Sequence, residues 1–91
     1  MTETVRDNTD EQRFELKIEG QTAFVYYERT ARMITFKHTD VPLVMSGKGV
    51  ASRLIKGALD QIRTQGLKVT AECPFVSGYL AKHPEFADLV A

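Results

Sequence analysis

Ninety-one residues are enough for one domain with a single core, and a hydrophobic fraction of 43% is that of an ordinary globular chain. Twelve basic and twelve acidic residues cancel, which argues against a general nucleic-acid or anionic-lipid binder and leaves room only for a local basic site. The single cysteine, Cys73, cannot close an internal disulfide and no apolar run reaches membrane length, so the expectation is a soluble, cytoplasmic protein with no membrane partner.

Residues 1–11 (MTETVRDNTDE) are polar, acidic on balance and aperiodic, which predicts a disordered leader ahead of a domain spanning 12–91. Over 13–19 the chain alternates strictly. Phe14, Leu16 and Ile18 point one way and charged residues the other, the period of a half-buried strand. Gly20 marks a tight turn into a second strand over 22–28. Thr30 and Ala31 allow a reversal into a third over 32–38, with Ile34, Phe36 and His38 on one face. Short connections make these three an antiparallel meander.

The period then changes. Val50, Ala51, Leu54, Ile55, Ala58, Leu59 and Ile62 recur at helical spacing, and Gly66 stands where a C-terminal cap belongs, so a helix is predicted over 49–65. Gly57, inside it, costs about 1 kcal/mol against alanine and points to close packing. A fourth strand over 67–73 carries Val69, Ala71 and Cys73 on one side, and Pro74 ends it. Strand, helix, strand is a crossover, so this fourth strand is expected parallel to the third. A short helix over 75–82 follows, with a final turn or packed tail over 85–91. The fold class is α+β: a three-stranded antiparallel meander, a helical crossover to a parallel fourth strand, and a short helix.

The loop at 41–48 precedes the long helix and presents Gly47, Lys48 and Gly49 at its start. Backbone N–H groups at a helix start lack intrahelical partners and carry partial positive charge, so such a turn can hold a phosphate. The plain alternative is an ordinary glycine-rich turn. In a sheet with a crossover helix, ligands bind beyond the carboxyl ends of the parallel strands. Three features converge there: the glycine loop, the strand end His38-Thr39-Asp40, and Cys73. A kinase-type or GTPase-type phosphate loop is excluded by spacing.

The runs HTDVP, SGKGVASRLIKGALDQIRTQGLKV and ECPFVSGYLAKHPEF, in this order and spacing, resemble the small single-domain GCN5-related N-acetyltransferase-like family over about residues 14–86. The superfamily signature of Arg or Gln, two residues, Gly, one residue, then Gly or Ala falls on Ser46-Gly-Lys-Gly-Val-Ala51. Gly49 and Ala51 match and Ser46 departs; the backbone donors do not depend on that side chain. The resemblance implies acetyl-CoA (coenzyme A) as cofactor, its diphosphate on the turn formed by Ser46, Gly47, Lys48, Gly49, Val50 and Ala51. The pantetheine arm would pair with backbone near His38, Thr39, Asp40 and Val41, between two parallel strands that splay apart. Lys48 or Arg53 would meet the 3′-phosphate, solvated helix charges being the alternative.

Acetyl transfer to an amine needs a deprotonated nucleophile, stabilisation of an oxyanion and a proton for the leaving thiolate. The resemblance implies Cys73 as an acyl acceptor in a two-step route, or else as a packing residue beside the arm. It implies Tyr79 as general acid, or else as a core tyrosine. His38 would either lower the thiol pKa or hold the loop. The expected activity is acetyl transfer from acetyl-CoA to an unidentified amine acceptor by a monomer or weak dimer. A non-catalytic acetyl-CoA-binding or sensing module is the rival from another class, and a small RNA-binding domain is disfavoured by the missing Gly-x-x-Gly loop and the absence of a basic surplus.

Overall fold

Each stretch of period two in the sequence becomes a strand with one buried face. In the computed structural model, which describes residues 4–45 and 49–91, five strands form one sheet: β1 (Arg6–Asn8), β2 (Arg13–Ile18), β3 (Gln21–Arg29), β4 (Met33–Asp40) and β5 (Lys68–Ala71). Spatial order follows chain order. The first four strands are antiparallel neighbours, and β5 lies parallel to β4 with Ile34 opposite Val69 and Phe36 opposite Ala71. Phe14, Leu16, Ala23, Val25, Tyr27, Ile34, Phe36 and Val69 share the buried face.

Between β2 and β3 the reversal takes two residues, Glu19 and Gly20, both at positive φ (52° and 80°). That is the backbone of a type I′ hairpin turn, whose twist matches the flanking strands.

The expected leader over 1–11 is corrected by the fold: Arg6–Asn8 is the edge strand β1, pairing Arg6 with Glu15 and Asn8 with Arg13. A three-residue strand holds barely one cycle of alternation, so pattern alone does not reveal it. Tertiary partners hold it instead. The Tyr27 hydroxyl donates to Asp7 Oδ1 at 2.6 Å, and the Gln61 side-chain amide donates to the Val5 carbonyl. Val5 itself is buried against Gly57, where an added Cβ would come within 2.3 Å of Val5 Cγ2. The glycine in the long helix is therefore spent on the N-terminal segment.

That helix, α1 (Val50–Gln65), buries Val50, Leu54, Ile55, Ala58, Leu59 and Ile62. It packs across β2 and β3. Gly66 ends it at φ 74°, with its N–H donated to the Arg63 carbonyl (3.1 Å) and the Leu67 N–H to the Ile62 carbonyl (3.3 Å). Only a left-handed residue closes that pair of bonds, which explains the glycine. The second helix, α2 (Pro74–Lys82), buries Val76 and Tyr79 in the same core. A 3-10 segment over Pro84–Leu89 completes the chain. Arg63 grips it through both oxygens of Asp88 (2.6 and 3.1 Å) and the Glu85 carbonyl (2.8 Å), and the Ala91 N–H donates to the Val69 carbonyl at 2.9 Å. No helix among the described residues is long and apolar enough to cross a membrane.

Candidate functional site

The site is made where β4 and β5 stop pairing. Their ladder ends at Phe36 and Ala71, and the Phe36 carbonyl then accepts from both Glu72 N–H (2.9 Å) and Cys73 N–H (3.2 Å). Beyond that point β4 continues to Asp40 beside β3 alone, while the other chain turns away into α2. Among the described residues no backbone bond joins residues 37–40 to the β5 side. What remains is a wedge between two diverging strand ends, crossed by side chains: Lys37 Nζ donates to Glu72 Oε1 at 2.7 Å and the Thr39 hydroxyl lies 3.2 Å from Cys73 Sγ.

A β-bulge sits at the apex of the wedge. Tyr26 pairs with His38 and Tyr27 with Phe36, leaving Lys37 as the extra residue. The extra residue inverts the alternation that follows. Thr39 now joins the inward side, opposite buried Val25, and its hydroxyl lies 3.2 Å from Cys73 Sγ. His38, expected beside Ile34 and Phe36, is turned to the other face of the sheet. There it is exposed and stacks on Tyr26 with ring centroids 6.3 Å apart. The expected convergence of imidazole and thiol is thereby corrected. Period two was read straight through a strand that carries one residue too many.

Cys73 is the N-cap of α2 rather than the last residue of β5, and it is buried at 5% exposure. Burial pushes its pKa up. The Thr39 hydroxyl, the N–H groups of Val76 and Phe75 at the helix start, and the Thr39 backbone outweigh this and leave the thiol below its ordinary value. No capping bond to the sulfur closes, so the two helix amides act on it at longer range. Thiols at helix N-termini are lowered in this way.

Tyr79 and Gly78 face a groove of about 300 Å³ between α2 and the first turn of α1, lined also by Ser52, Phe75, Lys82 and His83. Desolvation raises the Tyr79 pKa, with the carboxylates of Glu85 and Asp60 adding to it and Lys56 opposing. The phenol therefore keeps its proton at neutral pH. His83 stacks on it at 3.8 Å, and because a carbonyl can only accept, the His83 Nδ1 that lies 2.8 Å from the Tyr79 oxygen carries the proton. Phe75, Gly78, Tyr79 and Lys82 fall at intervals of three and four, one face of a helix, and the sequence reading missed that stripe apart from Tyr79. The signal was present as a glycine inside a short helix.

At the head of α1, Gly49 is the N-cap at φ 70°, with no side-chain cap and no acidic residue in the first turn. The first intrahelical bond runs from Arg53 N–H to the Gly49 carbonyl at 3.1 Å, so the amides of Val50, Ala51 and Ser52 have no acceptor within the helix. Ser46, Gly47 and Lys48, expected to complete the turn, lie outside the described residues. Val41 packs against the core, Asp40 is exposed opposite Phe24, and Arg53 lines a separate depression on α1 with Lys56 and Asp60. Among the described residues no group of three or more His, Cys, Asp or Glu could hold a metal.

Known proteins resemble this chain in sequence and in fold. A family profile described as GCN5-related N-acetyl-transferase matches residues 13–89. Protein NATD1 of Mus musculus is 32% identical over 85 residues, which cover 88% of this chain and 77% of that protein. Protein NATD1 of Homo sapiens is 31% identical over 74 residues, 78% of this chain and 66% of its own length. The solution NMR structure of a GCN5-like protein from Staphylococcus aureus superposes with a TM-score of 0.72 at 25% identity, covering 96% of this chain and 86% of the other. The chain belongs to the GCN5-related N-acetyltransferase family.

Proposed function

We propose that this protein binds acetyl-CoA in the wedge between β4 and β5 and transfers the acetyl group to an amine. One observation carries the reading: β4 parts from β5 beyond Phe36, while the Val50, Ala51 and Ser52 amides that begin α1 have no acceptor among the described residues. A strand edge lacking a neighbour suits an extended amide-bearing arm, and a helix start without acid suits a diphosphate. Gly78 supports the fit. It costs α2 about 1 kcal/mol relative to alanine, yet a Cβ there would meet nothing within 4 Å. Internal packing does not require that glycine, whereas a ligand lying along the groove does.

When bound, acetyl-CoA supplies an activated acyl thioester. The amides at the start of α1 hold its diphosphate, and the backbone of His38, Thr39, Asp40 and Val41 aligns the arm. Tyr79, protonated at neutral pH, serves as the proton donor to a leaving thiolate. Cys73, with its lowered pKa and the Thr39 hydroxyl beside it, is the candidate acyl acceptor of a two-step route. In that route the Cys73 thiolate would bond to the acetyl carbon as the carbon–sulfur bond to coenzyme A breaks and Tyr79 protonates the departing thiolate; the acceptor amine would then take the acetyl group, its lost proton returning to the Tyr79 phenolate as Cys73 leaves as thiolate. The imidazole of His38 has no place in this chemistry, since it faces the opposite side of the sheet.

Titration with coenzyme A, followed by amide NMR, tests the binding claim. The expected result is movement of the Val50, Ala51 and Ser52 amides together with residues 73–79; resonances unmoved at millimolar coenzyme A would end it. Mass spectrometry after incubation with acetyl-CoA tests the two-step route. An added acetyl group on Cys73 is expected, and its absence leaves direct attack by the amine.

A further inference from the structure

Both helices pack on the face of the sheet that buries Phe14, Val25 and Phe36. The opposite face is half-buried to exposed, and it carries a row of rings beside the wedge. Phe24 and Tyr26 stand on β3 with centroids 6.1 Å apart; His38 on β4 lies 6.3 Å from Tyr26, its plane tilted by only 16°. The Arg13 guanidinium caps Phe24 at 4.1 Å from its centroid and is itself paired to Glu15 at 2.7 Å. It is 5.7 Å from the Tyr26 centroid and donates to that hydroxyl at 3.3 Å, so it borders the second ring without covering it. Rings side by side on neighbouring strands can be ordinary cross-strand packing. What sets Tyr26 and His38 apart is the charge beside them.

Lys37, the bulged residue, lies on this same face, its ammonium 2.7 Å from Glu72 and 3.3 Å from Glu28. Exposed Asp40 stands opposite Phe24. On the wedge side of the rings three acids therefore meet one base, and the surplus is negative. The two carboxylates already show which group they accept: a primary ammonium. Glu72 directly precedes Cys73, and the N–H groups of both donate to the Phe36 carbonyl, so an amine held at Glu72 stands at the mouth of the wedge. Glu28 lies two residues beyond Tyr26 on the same face, about 7 Å along a strand, a separation that a ring with a short alkylammonium arm can bridge. The groove lined by Tyr79 belongs to the helix side, which leaves the sheet side of the wedge to a second substrate.

We infer that the acceptor is an aromatic primary amine, its ring lying on Tyr26 and His38 on the bare face of the sheet and its ammonium shared with Lys37 between Glu28 and Glu72. His38 offers a surface there, not a proton. The inference rests on the acetyl-transfer reading above. Amide NMR of the full chain saturated with coenzyme A tests it, by titration with 2-phenylethylamine, n-butylamine and 3-phenylpropionate. The first should shift Tyr26, His38 and Glu72 and bind about 10-fold more tightly than n-butylamine, the upper scale of one aromatic pair. 3-Phenylpropionate keeps the ring and reverses the charge, and should bind at least about 5-fold more weakly than 2-phenylethylamine. Tyr26→Ala should close the gap between the two amines, and Tyr26→Phe should restore it; Glu72→Gln should narrow the gap between amine and carboxylate. The amide spectrum of each variant reports its folding. Equal affinity for the two amines, an advantage of the ring that survives Tyr26→Ala, or no shift on the sheet face overturns the assignment while coenzyme A binding stands. Failure of coenzyme A itself to shift the start of α1 overturns the acetyl-CoA reading and this one with it.

Discussion

Replacing Gly78 separates stability from ligand binding in opposite directions. A Cβ built at Gly78 has open space around it, with no heavy atom inside 4 Å, and its backbone is helical without positive φ. Gly78→Ala should therefore recover the propensity difference of about 1 kcal/mol. For a domain of this size that corresponds to a melting temperature higher by about 4–8 °C. Gly78→Leu should recover a similar amount, because leucine is nearly as good a helix former. The same side chain, however, projects into a groove of about 300 Å³ shared with Ser52, Phe75 and Lys82. Coenzyme A affinity should fall stepwise from glycine to alanine to leucine, with the last variant losing at least about 30-fold, some 2 kcal/mol. Thermal denaturation by circular dichroism reads the first quantity and calorimetric titration the second. A leucine variant that is stabilised and binds coenzyme A as the wild type does would refute the claim that this groove receives the ligand. A variant that loses stability would refute the claim that the space is open.

Three further outcomes are expected. Ser52→Glu places a carboxylate in the first turn of α1, which now has no acid; it should stabilise the free protein by about 0.5 kcal/mol and weaken coenzyme A by at least about 10-fold, readable by the same melting and titration experiments. Gly57→Ala should destabilise by roughly 2 kcal/mol despite its propensity gain, because displacing Val5 forfeits a buried side chain, and in a Val5→Gly background, where the 2.3 Å and 2.7 Å clashes disappear, the same change should become stabilising; an identical effect in both backgrounds in urea unfolding would count against the contact. Thr39→Val should raise the Cys73 pKa, followed by the Cβ carbon shift of Cys73 as pH is varied, since the hydroxyl is the leading group that lowers it. The sign of the linked stability follows: a thiol whose folded pKa is depressed adds stability above its unfolded pKa of about 8.5 and loses it as pH falls through the folded value, so wild type should gain on Thr39→Val only in alkaline solution.

Around the candidate site, the helix ends were legible in the sequence because their chemistry is local. Gly49 at a helix start and Gly66 at a helix end are both left-handed, at φ 70° and 74°, and each was legible because only glycine takes that conformation cheaply. Cys73 followed by Pro74 was legible as a strand end, although the cysteine proved to be the cap of α2. His38 was misplaced for a definite reason. A bulge adds one residue without leaving a mark in hydropathy, and every later residue of β4 changes face. The groove lining of Ser52, Phe75 and Lys82 escaped because it joins residues from two helices that only packing brings together.

Sequence by itself determined the order and kind of the main elements, since alternation over β2 to β4, helical spacing over α1 and glycine at the α1 terminus are one-dimensional signals that the backbone obeys locally. Tertiary structure alone decided that residues 6–8 join the sheet, that Gly57 exists to receive Val5, and that Thr39 rather than His38 reaches the thiol. Those three outcomes depend on distant partners and on a shift of register, and neither a partner's position nor a bulge is encoded in the period of a strand.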